Sequence, residues 1–313
     1  MTQKIIIDTD PGQDDAVAIL LALASPDEID VLGIVTVAGN VGLAQNSKNA
    51  LKIVELSGKT QTKVYAGCDR PMRRTPVTAE HVHGQSGLDG PNLPDPKITL
   101  QDTHGVDFII QQLLRSPAGE ITLCALGPLT NIAMALVREP KIAPRIKEIV
   151  LMGGGYFEGG NITPTAEFNI YVDPEAADIV LHCGVKTTII PLDVTHQALA
   201  TKQRLQTIAN LGNKAGTAVH QMLNFSERFD IEKYQWQGAP LHDPCVIAFV
   251  LAPDMFTGRF INVEIEVASD LTRGMTVADF WGVTDRPPNA TFMRHIDADR
   301  YYDLLTARLA NLP

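Results

Sequence analysis

The sequence predicts an α/β protein with an open, mostly parallel sheet flanked by helices, a Rossmann-like core, and a helical C-terminal part packed on that sheet. Short β-branched apolar runs alternate with longer segments of helical period, which is the pattern of strands joined by crossover helices. The 313 residues are 45% hydrophobic and 20% charged, which is enough apolar material for a large core. Because no Pro/Gly/Ser-rich or charged linker divides the chain, we expect one domain over residues 1–313.

The alternation is clearest in the first two thirds of the chain. There we expect strands at 5–7, 31–37, 63–66, 121–126, 148–152 and 187–192. Between them we expect helices at 15–24, 43–56, 106–114, 131–137 and 176–182. Beyond residue 201 the pattern changes to helices at 201–211, 217–229 and 244–250, strands at 263–267 and 291–296, and a closing helix from 298.

Two long segments, 68–102 and 153–173, have neither helical nor strand period. Both are rich in Gly, Pro, Asn and His, and both follow predicted strands. Irregular segments of this length in a compact domain are usually functional. Because open parallel sheets bind ligands beyond the carboxyl ends of their strands, we expect both segments to border a binding crevice.

Charge and cysteine content limit the classes of binding partner and the cellular compartment that we expect for this protein. The formal net charge is −10 and the longest run of basic residues is Arg73-Arg74, so nucleic acid and anionic lipid are not expected as partners. The cysteines are scattered without Cys-x-x-Cys spacing, which predicts reduced thiols; they are Cys68, Cys124, Cys183 and Cys245. With no signal-peptide pattern and no apolar run of the ~20 residues that span a bilayer, a cytoplasmic location is expected.

The strongest local motif is the acidic run DTDPGQDD at 8–15, where a strand enters a Pro-Gly turn that leads into a helix. A tight turn brings at least three of these four carboxylates together, and clustered carboxylates repel one another unless a cation is present. Asp14 and Asp15 alone are also consistent with an acidic helix N-terminus. That alternative leaves Asp8 and Asp10 unexplained, so we expect a cation site with oxygen ligands, of the Ca²⁺ or Mg²⁺ type.

Two further motifs contain polar groups suited to a ligand. His242-Asp243-Pro244 precedes the apolar helix, and by itself it is an ordinary helix start with Asp at the N-cap and Pro at the first turn. The glycine-rich run GGGYFEGGN at 153–161 leads to Glu167 and Asn169. It lacks the Gly-Lys-Ser/Thr and Gly-x-Gly-x-x-Gly patterns of phosphate loops. Its amides and carboxylate suit a neutral polyol instead.

At this point the chain resembles the inosine-uridine-preferring nucleoside hydrolases, a family that includes the nonspecific protozoan enzymes. The matching stretches occur in the family's order over nearly the whole length, and they are DTDPGQDDA (8–16), VAGN (37–40), HGQSG (83–87), GPLTNIA (127–133), VLMGGG (150–155), AEFNI (166–170), DPEAA (173–177) and LHDP (241–244). The resemblance implies hydrolysis of the N-glycosidic bond of ribonucleosides, a Ca²⁺ cofactor, a nucleoside substrate, a role in nucleoside salvage and a homotetramer.

Residue roles follow from the resemblance at the matching positions. It implies Ca²⁺ ligation by Asp10, Asp15, Asp243 and the backbone carbonyl of Leu126. It implies ribose binding by Asp14, Asn40, Asn161, Glu167 and Asn169, with His83 and His242 near the base. Leu126 stands where relatives often have Thr or Val, which a carbonyl ligand tolerates. The glycine-rich loop is one residue longer than in the protozoan enzymes, so the match of Asn161 to the family position depends on where the extra residue is placed.

These groups suit the chemistry of N-riboside cleavage, which passes through a state resembling an oxocarbenium ion. Asp10 is the expected general base for an attacking water, and His242 is the expected acid for the leaving base because an imidazole titrates near neutral pH. His242 further indicates acceptance of inosine and uridine together, or a pyrimidine preference. Phe229, Tyr234 and Trp236 are candidates for the base side. His81, His104, His182, His196, His220 and His295 have no argument for a site role.

Two alternatives remain at the level of sequence. A strand that ends in Asp-x-Asp also opens the haloacid-dehalogenase-like Mg²⁺ phosphatases, with Asp8 as nucleophile, although Gly12 stands where those enzymes have Thr or Val. A non-catalytic nucleoside- or ribose-binding protein would need the same pocket without turnover. Release of free ribose from uridine or inosine distinguishes the hydrolase from both.

Overall fold

The computed structural model describes residues 2–234 and 236–313, with side chains described outside 227–234. Its strands are β1 Gln3–Thr9, β2 Ile29–Thr36, β3 Val64–Ala66, β4 Ile121–Ala125, β5 Ile146–Met152, β6 Thr187–Ile190, β7 Leu199–Thr201, β8 Gly238–Pro240, β9 Phe256–Ile261, β10 Val263–Ile265, β11 Thr276–Ala278 and β12 Ala290–Ile296. Its α-helices are α1 Gln13–Leu23, α2 Leu43–Leu56, α3 Glu80–His83, α4 Gly105–Arg115, α5 Thr130–Arg138, α6 Phe168–Val172, α7 Pro174–Leu181, α8 Leu192–Thr195, α9 Lys202–Ala209, α10 Lys214–Tyr234, α11 Pro244–Leu251 and α12 Ala298–Leu309. Short 3₁₀ helices span Pro140–Arg145 and Pro253–Met255.

Eight strands form the central sheet in the order β3-β2-β1-β4-β5-β6-β12-β9. Neighbouring strands are parallel except for β9, which runs antiparallel to β12. The predicted open, mostly parallel sheet is therefore confirmed. The chain builds outward from β1 to β3 and then returns to β4 on the other side of β1, so the strand order reverses between β1 and β4. Such a reversal opens the crevice in which α/β sheets bind ligands.

The apolar side chains of β1 alternate between two cores, one on each face of the sheet. Ile5 and Ile7 belong to one core and Ile6 to the other. On the first face, α1 packs against α2, α10, α11 and α12, and every residue of α1 from Ala16 to Leu23 is buried. Burial on all sides explains why this helix is apolar around its whole circumference. Its N-terminus, with the acidic motif, is thereby held at the carboxyl end of β1.

The C-terminal part packs on the sheet as expected, and it also contributes two strands to that sheet. β12 was predicted at 291–296, whereas β9 was not predicted. β9 is an edge strand in which the four residues between Phe256 and Ile261 are exposed. It therefore lacks the alternation of apolar and polar residues by which half-buried strands are recognised.

The two long segments surround short helices that periodicity did not indicate, α3 in the first segment and α6 in the second. Helices this short contain one turn, too little for a 3.6-residue period to register. Within the described parts of the chain, no helix combines the length and the apolar character needed to cross a membrane.

Candidate active site

One cavity lies where the carboxyl ends of β1, β2, β4 and β5 meet, and it encloses about 990 Å³ when its open mouth is included. Most of the predicted site residues line it, namely Asp14, Asn40, His83, Leu126, Asn161, Glu167, Asn169, His242 and Asp243. The other two, Asp10 and Asp15, are almost fully buried and are hydrogen-bonded to Asn40 in the cavity wall. The fold thus gathers the predicted metal ligands, ribose ligands and two histidines into one region.

Three carboxylates form the acidic centre of this region. Asp14, Asp15 and Asp243 each place an oxygen within 4.8 Å of the others. Asp14 and Asp15 come from the first turn of α1, and Asp243 comes from the start of α11, which packs against α1. Asp243 occupies the N-cap position of α11 but makes no capping hydrogen bond with its side chain. Its carboxylate joins the acidic group instead of serving as an ordinary cap.

Asp15 is held by four donors. Its Oδ1 accepts the Thr9 hydroxyl at 2.5 Å and the Asp10 amide at 3.2 Å, and its Oδ2 accepts the Gly12 amide at 2.9 Å. The fourth donor is Nδ2 of Asn40 at 3.2 Å. The turn between β1 and α1 therefore closes around this carboxylate and sets its position.

The carboxylate of Asp10 is held by a backbone hydrogen bond and by two glycines packed against it. The Asn40 amide donates to its Oδ2 at 2.7 Å, whereas its buried Oδ1 has no hydrogen-bond partner among the described residues. A Cβ on Gly39 or Gly127 would lie 2.1 Å from one of its carboxylate oxygens, so only glycine fits at these two positions. Asp10 was expected beside Asp15 and Asp243 as a ligand, and it lies next to the group of three instead of within it.

Burial and mutual repulsion make these acids hard to ionise. Burial, followed by the charge of Asp15, holds the pKa of Asp10 well above its usual range. Burial and the charges of Asp14, Asp15 and Asp10 do the same to the pKa of Asp243. Burial and the Asp14 charge raise the pKa of Asp15 to about 6. No Lys or Arg is found among the described residues that line the cavity. An all-oxygen cluster with excess negative charge can bind a metal ion.

The segment after β5 forms the polar wall of the cavity. Glu167 caps α6, accepting the amide of Asn169 at 2.9 Å and that of Ile170 at 3.2 Å, and it anchors the glycine-rich loop through the amide of Gly154 at 2.9 Å. Asn169 donates Nδ2 to the carbonyl of Leu126 at 2.8 Å, which leaves that oxygen a second lone pair. Asn161 accepts the amide of Phe168 at 2.9 Å. Burial raises the pKa of Glu167 to about 7.

Two neutral histidines complete the cavity. Burial lowers the pKa of His83 to about 4, and burial together with the neighbouring His196 and His83 lowers the pKa of His242 to about 3. The expectation that His242 titrates near neutral pH is therefore wrong for this environment. Nδ1 of His242 lies 2.7 Å from the Thr195 hydroxyl, and Nδ1 of His83 lies 2.6 Å from Oε1 of Gln13. Trp236 also lines the cavity, whereas Phe229 and Tyr234 lie outside the residues whose side chains are described.

Comparison with known proteins agrees with this geometry. Residues 5–303 match the family model of the inosine-uridine preferring nucleoside hydrolases. The chain belongs to this family. It is 49% identical to an uncharacterized protein of Schizosaccharomyces pombe, and 43% identical to the pyrimidine-specific ribonucleoside hydrolase RihA of Photobacterium profundum, with 99% of this chain and 100% of each relative covered. A purine-preferring ribonucleoside hydrolase from Gardnerella vaginalis has a similar structure, with a TM-score of 0.92 and 33% identity over 98% of both chains.

Membership of the nucleoside hydrolase family makes the chain an enzyme and leaves the phosphatase and binding-protein alternatives without support. The names of the relatives point to different bases, pyrimidine in one case and purine in the other. The base preference of this nucleoside hydrolase therefore has to be argued from its own residues.

Several residues of this nucleoside hydrolase site were missed. His81 and His196 line the cavity although no site role was expected for them, and Gln13 and Thr195 bind the two neutral histidines. Asp193 anchors the glycine-rich loop by accepting the amides of Tyr156 and Phe157 at 2.9 and 2.8 Å. Thr195 ends α8, the short helix that follows β6, and His196 comes next, so the rule that sites lie beyond strand ends could have indicated them.

Proposed function

We propose that this nucleoside hydrolase cleaves the N-glycosidic bond of ribonucleosides of the inosine, uridine and cytidine type, releasing the free base and ribose. The observation that carries the proposal is one cavity lined by carboxylates, amides and two neutral imidazoles. We propose that residues 1–313 act as a single cytoplasmic domain in purine and pyrimidine salvage. We also propose that it forms a homotetramer, as the family resemblance implies.

We propose Ca²⁺ as the cofactor. The family resemblance assigns it to Asp10, Asp15, Asp243 and the carbonyl of Leu126. Two of these acids, Asp15 and Asp243, lie in the close group with Asp14, and the buried carboxylate of Asp10 lies next to that group. The buried Oδ1 of Asp10, which has no partner among the described residues, and the all-oxygen donor set both suit a hard cation. When bound, such a cation neutralises the clustered charge and lowers the pKa of a neighbouring water.

The ribose is proposed to bind Asp14, Asn40, Asn161, Glu167 and Asn169, which line the cavity. Carboxylates accept hydrogen bonds from hydroxyl groups, and amides both donate and accept them, so this set matches a polyol. The negative charge of Asp14 and Glu167 favours the positive charge that develops on the sugar as the bond to the base breaks.

We assign proton transfer to Asp10 and His242. Asp10 takes a proton from the attacking water, whose oxygen bonds to C1′ of the ribose as the C1′–N bond breaks and leaves its electron pair on the base. Burial keeps the ring of His242 neutral at rest, so His242 takes up a proton only as the C1′–N bond breaks and passes it to that base, while the proton on Asp10 is released to solvent. Because Nδ1 of His242 is hydrogen-bonded to the Thr195 hydroxyl, Nε2 is the ring nitrogen that faces the base in this proposal.

A reducing-sugar assay across a nucleoside panel tests this function. Uridine and inosine should release ribose, whereas 2′-deoxyuridine should react about 10⁴-fold more slowly, because a site built to bind a hydroxyl group is left with unpaired polar groups. Absence of ribose release from every ribonucleoside would contradict the proposed reaction. Comparable kcat/KM for uridine and 2′-deoxyuridine would contradict the assigned ribose contacts.

A further inference from the structure

Gln13 and His83 form a contact that the proposed mechanism does not use. Gln13, the first residue of α1, is 1% exposed, and His83 ends α3 in the first long segment. Both side chains line the cavity. A Cβ on Gly12 would lie 2.6 Å from Nδ1 of His83, so the ring rests on the glycine backbone next to Gln13. The imidazole is therefore packed in place instead of extending freely into solvent.

The hydrogen bonds of Gln13 determine which way its amide faces. Its Nε2 donates to the carbonyl of His83 at 3.0 Å and to the carbonyl of Asp89 at 3.1 Å. An amide nitrogen has two N–H groups, and these two carbonyls use both of them. Exchanging nitrogen and oxygen would place Oε1 against two carbonyl oxygens, which repel it. The oxygen must therefore face Nδ1 of His83 at 2.6 Å.

This orientation determines the protonation of the ring. Oε1 of Gln13 is only an acceptor, so Nδ1 of His83 has to carry a proton. At neutral pH the ring holds a single proton, since burial lowers its pKa to about 4. Nε2 is then a lone-pair acceptor, and it has no hydrogen-bond partner among the described residues. A neutral histidine whose Nδ1–H is bound by an amide or carboxylate oxygen presents its other nitrogen in one defined state.

We propose that Gln13 is a positioning residue that holds His83 as its Nδ1–H tautomer, so that Nε2 accepts a hydrogen bond from the ring N–H of the substrate base. The inference rests on the proposed function and names the class of base within it. Uracil has N3–H and hypoxanthine has N1–H, each beside a carbonyl group. Cytosine has a lone pair at N3, which would face the lone pair of His83.

The first experiment observes the proton directly and does not depend on activity. Neutron diffraction from holoenzyme crystals exchanged into heavy water at neutral pD should show deuterium on Nδ1 of His83 and none on Nε2. Deuterium on Nε2, with or without a second one on Nδ1, would overturn the proposal. This measurement stands even if the substitution below does not fold, and it stays informative if no ribonucleoside is cleaved.

The second experiment compares kcat/KM for uridine and cytidine in the wild type and in Gln13→Leu. The wild type should favour uridine by about ten- to a hundredfold, the range expected for losing one buried hydrogen bond. Gln13→Leu removes the acceptor that holds Nδ1–H, so either tautomer of His83 can form and the ratio should fall towards one. General damage to the fold lowers both values and leaves their ratio unchanged.

Gln3→Leu is the matched control. Gln3 is partly buried and donates its Nε2 to the carbonyl of Val250 at 2.8 Å, at the opposite end of β1 from the cavity. This variant should keep the wild-type ratio of uridine to cytidine. An unchanged ratio in Gln13→Leu, or an equal fall in both variants, would remove Gln13 from the positioning role. Loss of ribose release from all nucleosides in the wild type would overturn the proposed function and leave the neutron result to decide the tautomer.

Discussion

His242 is the residue whose proposed role depends most clearly on the substrate. A proton donor matters only while the leaving group needs a proton, so His242→Ala should lower kcat for uridine and inosine by about 10² to 10⁴-fold. In a riboside of p-nitrophenol the leaving group departs as the stable p-nitrophenolate anion without needing a proton, so hydrolysis of this substrate should keep nearly its full kcat. The measurement is steady-state kinetics on the three substrates, with the exposed His295→Ala as control.

Equal losses of kcat on the nucleosides and on the p-nitrophenyl riboside would remove His242 from the role of proton donor. A structural role would affect both kinds of substrate, because His242 precedes Asp243 and contacts Thr195 in α8. It would also lower the melting temperature, which is therefore measured on the same samples.

At the scale of single residues, sequence analysis found only those site residues whose type is unusual for their position. The acids of the first motif were recognisable because four carboxylates in eight residues need a physical explanation. Gln13 and Thr195 have no such property, since neutral polar residues at a helix start and in a short helix are ordinary. Their importance comes from the histidines that the fold places against them.

At the scale of elements, His182 joins α7 to β10. The ring lies 3.1 Å from Asp178 and 3.0 Å from Glu264. Partial burial lowers the pKa of His182, but the hydrogen bond and charge of Asp178 and the charge of Glu264 outweigh it, and the net pKa is raised. Since the protonated form is favoured in the folded state, the stabilisation is fully present below the unfolded pKa of about 6.5 and is lost as pH rises through the folded pKa.

We therefore expect His182→Gln to lower the free energy of unfolding at pH 6 and to have little effect at pH 9. The loss should be at most about 1 kcal/mol, because the side chain of His182 is 48% exposed and solvent weakens the ion pairs. Urea unfolding at both pH values measures it, and Asp178→Asn should show the same pH dependence. A loss that is as large at pH 9 as at pH 6 would show that packing, and not charge, joins these elements.

Helices and strands were predictable where their buried apolar residues recur at a regular spacing along the sequence. α2 was predicted at 43–56 and spans Leu43–Leu56, because its buried residues recur at helical spacing. β11 and β9 were missed because a three-residue strand and an exposed edge strand have no such pattern. α8 was not predicted. Its first residue, Leu192, was assigned to the preceding strand at 187–192, and four residues are too few to show a helical period.

At the scale of the whole molecule, the proposed metal site predicts that stability depends on bound metal. Its carboxylates come from α1 and α11, so a bound cation would join the N-terminal part of the sheet to the C-terminal helices. Removing Ca²⁺ with a chelator should abolish turnover and lower the melting temperature. A ligand that binds only the folded state at 100 times its Kd stabilises that state by about 2.7 kcal/mol.

Calorimetry with and without added Ca²⁺, together with elemental analysis, measures this dependence. Asp243→Asn should abolish the response of the melting temperature to Ca²⁺. Asp254→Asn, which changes an exposed acid paired with Arg300, should preserve it. Full activity in protein shown to be free of metal would exclude the proposed cofactor role.

The sequence by itself determined the α/β class, the mostly parallel sheet and the acidic, polar character of the site, because each depends on local period or on residue type. Only the tertiary structure decided which side chains meet. Strand order brings the ends of β1 and β4 together, and packing of α11 on α1 brings Asp243 to Asp15. The protonation states of His83 and His242 likewise depend on the tertiary structure. Burial lowers the pKa values of both rings, and their Nδ1 atoms form hydrogen bonds with Gln13 and Thr195. Local sequence contains no information on these distances, because they arise between segments far apart in the chain.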